Sequence, residues 1–322
     1  GEICPTGPLP QVEHAGSIRA DLDLLAPALI GADPRRIGFV HDVMRAVMDG
    51  GQGARSAVDI ACWDLLGKVH NTRVCDLLGG ARMDPVSTYH VVPIGTPEES
   101  AQLAEALQDE GHTKLQLKSG GRHIDEDIAA IHAVAGGIRS GVDLFVDCNR
   151  GWTVGEAIQV SGACRDLKLA IEQPCASYAE CAAARPQLHH PLILDESATD
   201  LATIARAIAT GIADGFGMKL TRIGGISGMR AVRDLCEAFK TPTSCDDSWG
   251  GDIIAAACVH VGATLQPHLS RGAWISDPYQ AGHYDEANGP RIVNGMIAVP
   301  PGPGLGIPIP EGCFGSPVAS YA

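Results

Sequence analysis

Basic residues are in short supply. The chain of 322 residues carries 24 Lys and Arg against 38 Asp and Glu, a formal charge of −14. Nothing basic is left over to displace counterions from a phosphate backbone, which excludes a nucleic-acid partner. Long apolar runs are missing as well: no stretch approaches the about 18 residues of a membrane span, so no membrane partner is expected. The N-terminus has no basic segment followed by an apolar run, so no secretory signal is read there and a cytoplasmic location is expected. The chain begins with Gly1 rather than Met, which marks it as an expected piece of a longer one. The 11 Cys include no CxxC pair, and the 12 His include no HExxH or HxH. A zinc ribbon and a disulfide framework are both excluded by that spacing, leaving reduced, mostly buried thiols.

Residues 1–16 are rich in Pro and Gly and read as loop. Helical periodicity follows over 17–48, with Leu22, Leu25 and Leu29 on one face and a break at Asp33-Pro34. A third helix runs through Ala57, Ile60, Trp63 and Leu66 and is expected to end near Gly67. It is apolar around much of its circumference, which predicts burial. From Pro85 the chain changes character. Short apolar runs at 86–92, 115–118, 144–147, 169–172, 192–195, 216–219, 243–246 and 264–267 alternate with amphipathic or Ala-rich stretches such as 100–109, 127–138, 201–209 and 229–239. Eight strands alternating with helices predict an α/β fold, a (β/α)8 TIM barrel. The expected organisation is a mostly helical, incomplete capping domain at 1–84, the barrel at 85–275, and a Pro- and Gly-rich segment at 276–322 that returns to the cap.

The second to sixth runs end in Lys118, Asp147, Glu172, Asp195 and Lys219, at steps of 29, 25, 23 and 24 residues. Each step is one strand-helix unit. All strand ends of such a barrel open at one mouth, where the chemistry sits. Three neighbouring carboxylates there raise one another's pKa, and a divalent cation relieves the repulsion. Oxygen-only ligands suit a hard ion, Mg²⁺ first and Mn²⁺ as a substitute. Lys118 and Lys219 fall on opposite sides of an eight-membered ring, one for each face of a bound substrate. A single acid at a strand end is often only a helix cap or half a salt bridge; five charged ends in this order are harder to explain that way.

These residues resemble the enolase superfamily in its mandelate racemase and muconate-lactonizing branch. The matching motifs are Leu115-Gln116-Leu117-Lys118, Asp147-Cys148-Asn149-Arg150-Gly151-Trp152, Ile171-Glu172-Gln173-Pro174, Leu194-Asp195-Glu196-Ser197 and Gly217-Met218-Lys219, with Arg55-Ser56-Ala57-Val58-Asp59-Ile60-Ala61-Cys62-Trp63-Asp64 on the third helix. The resemblance implies an enolase-like barrel with an α+β cap. It implies Mg²⁺ on Asp147, Glu172 and Asp195, acid/base roles for Lys118 and Lys219, and supporting roles for Asn149 and Glu196. Its substrate would be a small-molecule carboxylate with an acidic α-hydrogen, and the assembly a homo-oligomer. Two features depart from the family. The β-meander that usually precedes Gly1-Glu2 is absent, and the usual Lys-x-Lys of the second strand is here Gln116-Leu117-Lys118. A lysine base needs a pKa near 7–8 rather than ~10.4, so without a lysine at 116 the metal, burial or Lys219 must lower it. A neutral Gln116 is instead suited to hydrogen-bond the substrate carboxylate.

After the seventh run comes Asp246-Asp247-Ser248-Trp249-Gly250-Gly251-Asp252, and after the eighth Gly272-Ala273-Trp274. Acids and aromatic faces at a barrel mouth suit a cationic amine, which makes Asp247, Trp249 and Trp274 candidate substrate contacts; either Trp could equally plug the interface of cap and barrel. Asp252 reads as the first residue of a helix rather than a ligand. The pattern looks most like members acting on proline derivatives. The favoured expectation is dehydration of cis-3-hydroxy-L-proline to Δ1-pyrroline-2-carboxylate, the alternative 2-epimerisation of proline betaine or hydroxyproline betaine. Two remoter readings are a class I aldolase-type lyase with a Schiff base on Lys219, which leaves the three acids unexplained, and a non-catalytic metal-binding barrel.

Overall fold

The structure is a computed structural model and describes residues 1–5, 13–247 and 249–321. Residues 6–12 of the expected leading loop, Ser248 in the run after the seventh strand and Ala322 lie outside the described residues. Two helices, α1 (Ala15–Leu29) and α2 (Ile37–Val47), flank the expected break at Asp33-Pro34. The first begins earlier than its periodicity suggested, because the His14 side chain accepts hydrogen bonds from the Gly16 and Ser17 amides and caps it. The third, α3 (Gln52–Val69), runs on past Gly67. Gly67 is not a stop signal: a Cβ there would lie 2.6 Å from Gly304 Cα, so its bare backbone serves close packing of the tail. A short helix, α4 (Val74–Leu77), follows.

The run at 86–92 is two strands, β1 (Val86–Ser87) and β2 (His90–Val92). The barrel wall continues with β3 (Lys114–Lys118), β4 (Asp143–Asp147), β5 (Ala170–Glu172), β6 (Leu192–Leu194) and β7 (Gly215–Phe216), and β2 to β7 pair in that order, all parallel. Between them stand α5 (Pro97–Asp109), α6 (Ile124–Gly136), α7 (Val154–Ala163), α8 (Tyr178–Ala184) and α9 (Leu201–Ala209); α10 (Ile226–Ala238) and α11 (Asp252–Gly262) follow. Parallel bridges close the ring: Phe216 to Thr243, Lys219 to Asp246, Thr243 to Ser270, and Thr88 to Ala273. The closing segment therefore lies at 270–273, not at the expected 264–267, where the chain is leaving α11 and entering a 3-10 turn at Pro267–Leu269. In the tail, β8 (Ile292–Val293) and β9 (Met296–Ile297) form a hairpin that adds antiparallel to β1.

Alternation along β3 sets the two faces of the wall. Leu115 and Leu117 are fully buried in the main core with Ile171, Leu192, Leu194 and Phe216, against the surrounding helices. The alternate residues Gln116 and Lys118 face the barrel mouth. No helix among the described residues is long and apolar enough to cross a membrane.

Candidate active site

Parallel pairing without a register slip carries the charged ends to one level. Lys118 is the register partner of Asp147, and Asp147 of Glu172. Asp195 follows β6 directly, and Lys219 bridges to Asp246 beyond β7. All but Glu172 line a cavity of about 580 Å³ at the mouth. Glu172 lies beneath it, only 3 % exposed. Gly217 makes room for that carboxylate, since a Cβ there would sit 2.5 Å from Glu172 Oε1.

Each carboxylate is turned to a donor. Lys118 Nζ donates to Asp147 Oδ2 at 2.5 Å and to Asn149 Oδ1 at 3.0 Å. Lys219 Nζ donates to Asp195 Oδ2 at 2.6 Å, and Arg222 pairs with the other oxygen of Asp195. Glu172 Oε2 accepts from Gln116 Nε2 and from Arg271 Nη2, both at 3.3 Å. Burial pulls the Lys118 ammonium down, but the Asp147 carboxylate outweighs it and holds the group above its usual range. Lys219 is raised in the same way, with Asp195 opposing burial. Burial would raise Asp195, yet Arg222 and Lys219 win and hold it well below the usual carboxylate range. Glu172 goes the other way, pushed up to about 8 by burial and by Asp147.

Among the described residues, no three His, Cys, Asp or Glu side chains stand ready as a metal cluster. The donor set nevertheless fits a hard divalent ion. It is made only of oxygens, its three members sit on neighbouring strand ends, and the charge of Asp147, which adds to burial in pushing Glu172 up, is what a cation would offset.

Asn149 Nδ2 donates to Glu196 Oε1 at 3.2 Å, so the two expected supporting residues touch each other as well as the lysine side of the site. Gln116 is 4 % exposed and spends one amide hydrogen on Glu172. Asp247 is buried, takes the Trp249 amide on Oδ1, and is pushed up to about 8 by burial. Its Oδ2, and Oε2 of Glu196, are buried without a hydrogen-bond partner among the described residues. Trp249 and Trp274 meet edge to face at 5.1 Å, and Trp249 is 41 % exposed at the mouth. Asp252 is the first residue of α11, where it accepts from the Tyr284 and Asp285 amides, in keeping with its reading as a helix-start residue.

Sequence reasoning missed four residues of this site. Tyr89 lines the cavity from just before β2, buried, with its hydroxyl held well above its normal range by burial. Tyr279 completes an aromatic trio, 5.2 Å from Trp249 and 6.1 Å from Trp274. Arg222 and Arg271 supply the cations that Asp195 and Glu172 share. The only signal for Arg271 was its place before Gly272, masked by the misplaced eighth strand.

Residues 1–79 match the mandelate racemase / muconate lactonizing enzyme N-terminal domain, and residues 99–312 the enolase C-terminal domain-like family. The whole chain is 39 % identical to a cis-3-hydroxy-L-proline dehydratase of Roseibium aggregatum, spanning 87 % of that protein. Over 208 residues, 63 % of this chain and 56 % of the relative, it is 33 % identical to an N-succinyl-L-Arg/Lys racemase of Bacillus cereus. A crystal structure of an enolase superfamily member from Roseovarius nubinhibens, complexed with magnesium, superposes with a TM-score of 0.96 at 31 % identity, covering 100 % of this chain and 87 % of that one. With both domain families matched across most of its length, the chain belongs to the mandelate racemase and muconate lactonizing enzymes of the enolase superfamily.

Proposed function

We propose that this protein is a Mg²⁺-dependent hydro-lyase that converts cis-3-hydroxy-L-proline to Δ1-pyrroline-2-carboxylate. The observation that carries the reading is the pair of lysines at opposite sides of one mouth, with three carboxylates between them, in a chain similar along its whole length to a dehydratase of that substrate. Asp147, Glu172 and Asp195 would hold the metal; Mn²⁺ suits the same oxygens. A bound divalent ion would neutralise the substrate carboxylate and stabilise the negative charge that develops as the α-proton leaves. With Asp147 and Asp195 engaged as metal ligands, less negative charge would face the lysines, and one of them would be freer to act as base. That lysine takes the α-proton. The opposite ammonium gives its proton to the departing 3-hydroxyl, so that water leaves and the ring enamine tautomerises to the imine. Tyr89, buried on the cavity wall, would help to keep solvent from the reacting carbon. Asp247 and Glu196 both line the cavity, each with one oxygen unpartnered among the described residues, and would accept from the substrate ammonium.

A second reading, 2-epimerisation of proline betaine, is favoured by one feature. The trio of Trp249, Trp274 and Tyr279 offers aromatic faces to a quaternary amine that donates no hydrogen bond. There the opposite lysine reprotonates the α-carbon. Proton NMR in D₂O with Mg²⁺ separates the two, using each substrate alone. Disappearance of cis-3-hydroxy-L-proline with growth of pyrroline carboxylate supports the dehydratase. Exchange of the betaine α-hydrogen with the ring intact, and no change in hydroxyproline, overturns it in favour of the epimerase.

The cap and tail are read as a unit that shapes this mouth, 1–84 and 276–322 closing over the barrel at 85–275. Supporting contacts run from Glu2, which accepts the Gly251 and Ile254 amides, to the loop that carries Trp249. A homo-oligomer remains the expected assembly.

A further inference from the structure

Gln173 follows Glu172 directly and has no exposed surface. Its polar groups reach the strand ends on both sides of β5. Toward β6, its side-chain Oε1 accepts the backbone amides of Asp195 at 3.0 Å and of Ser197 at 3.1 Å. Its own amide donates to the Ile193 carbonyl, within β6, at 2.9 Å. Toward β4, its carbonyl accepts the Arg150 amide at 2.8 Å, in the loop that follows Asp147. The side-chain Nε2 spends its two hydrogens on Ser197 Oγ at 2.7 Å and on the Cys175 carbonyl at 3.0 Å. One buried side chain and its backbone thus link the ends of three neighbouring strands, those that carry Asp147, Glu172 and Asp195.

The contacts explain the residue type. Oε1 must accept twice and Nε2 must donate twice, which a primary amide does and a carboxylate or an apolar side chain does not. The backbone there is held in a conformation that disfavours a side chain. Gln173 has φ +35°, and Asn149 and Arg150, in the loop it bonds to, have φ +41° and +69°. Residues so placed persist where their surroundings over-determine them, and they gather at functional sites. The hydrogen bonds of Gln173 supply that over-determination beside the carboxylates, so the separation of Glu172 from Asp195 is fixed by a side chain that touches neither carboxyl group.

We infer that Gln173 is the positioning residue that sets which divalent ion the centre prefers, by holding the strand ends at one spacing. The inference rests on the reading of Asp147, Glu172 and Asp195 as the residues that hold the metal. Mg²⁺ demands near-ideal octahedral geometry at about 2.0–2.1 Å, whereas Ca²⁺ accepts irregular shells at about 2.3–2.6 Å. Slack at the strand ends therefore costs Mg²⁺ more than Ca²⁺, while a general loss of structure weakens both alike. The test is electron paramagnetic resonance of Mn²⁺ added to the full chain, with Mg²⁺ and Ca²⁺ as competitors, which reads each affinity without turnover. Gln173→Met fills similar space with no donor or acceptor. It is expected to weaken Mg²⁺ by about tenfold to a hundredfold and Ca²⁺ by less, so that the preference for Mg²⁺ narrows. Ser197→Ala, at a half-buried position, removes one acceptor of Nε2 and should narrow the preference in the same direction by about twofold to tenfold. A Mg²⁺-to-Ca²⁺ ratio unchanged in Gln173→Met, or in Ser197→Ala where the methionine variant does not fold by circular dichroism, overturns the inference and leaves the metal reading intact. A wild type that takes up no Mn²⁺ overturns both.

Discussion

Lys118 and Lys219 are each held by one carboxylate and face one cavity, so neither is replaceable by the other. Lys219→Ala leaves Asp195 paired with Arg222, so the fold survives while the proton donor or base on that side is gone. Turnover of cis-3-hydroxy-L-proline is expected to fall by roughly 10²- to 10⁴-fold or more, measured by product formation with circular dichroism as the control; turnover near that of the wild type would remove Lys219 from the reaction. Tyr279 tests the amine end. Tyr279→Ala opens the aromatic trio and is expected to raise KM for a cationic substrate about two- to thirtyfold with kcat little changed. The charged strand ends were legible because one strand-helix unit repeats at nearly constant length, so five residues in register announce one mouth. Tyr89, Tyr279, Arg222 and Arg271 obey no such spacing. They reach the site through a loop, a tail turn and a misplaced strand, and only the closed ring shows that they meet.

Asp127 shows what one element does for the loops that carry the site. It lies in the first turn of α6 with no exposed surface. Its Oδ2 accepts the Gly120 amide at 2.9 Å and Trp152 Nε1 at 2.8 Å, and its Oδ1 accepts Arg122 Nε at 2.7 Å. It thereby ties the loop after Lys118 to the loop after Asp147. Asp127→Ala strands three buried donors, one of them charged, and is expected to cost about 3–5 kcal/mol, read from the urea midpoint. Asp127→Asn keeps one acceptor and should fall between; a midpoint unchanged by the alanine variant would show that these loops are held by something else. The elements themselves were legible where local signals agree. Thr96 and Thr153 each form a capping box with the glutamate three residues on, at Glu99 and Glu156, and the helices begin there. The eighth strand was not. Residues 264–267 offer a β-branched Thr264 beside an apolar Leu265, whereas the true closing segment, Ser270-Arg271-Gly272-Ala273, has no β-branched residue and is a strand only by virtue of its bridges to Thr243 and Thr88.

At the scale of the whole molecule, the early helices, barrel and tail are joined by specific polar contacts, and one of them titrates. The tail meets the early helices where Val74 N–H donates to the Gly304 carbonyl at 2.9 Å and Leu305 N–H to Asp64 Oδ1 at 2.9 Å. His260, on α11, completes the joint. Its Nδ1 accepts the Cys75 amide at 3.3 Å, and its Nε2 lies 3.1 Å from the Leu305 carbonyl. An amide can only donate and a carbonyl only accept, so the ring must be neutral, with its proton on Nε2. Protonating Nδ1 would set N–H against N–H. Burial, the larger cause, lowers the His260 pKa to about 4, against 6.5 for a free imidazole. The unfolded chain therefore binds a proton below about pH 6.5 that the folded chain refuses until about pH 4, and folding stability must rise with pH across that window. The stabilisation is complete above pH 6.5 and lost on acidification toward pH 4, and the gap corresponds to roughly 3 kcal/mol. His190 and His112, also lowered by burial, add slope of the same sign. Other groups titrate in this range, so the decisive quantity is a difference. His260→Gln keeps an acceptor and a donor but no ionisable group, and urea unfolding of both proteins at pH 7 and at pH 4.5 should show the wild type losing more stability than the variant on acidification. Equal losses would mean that the imidazole takes up its proton without breaking the joint, and that the tail is held by its other contacts.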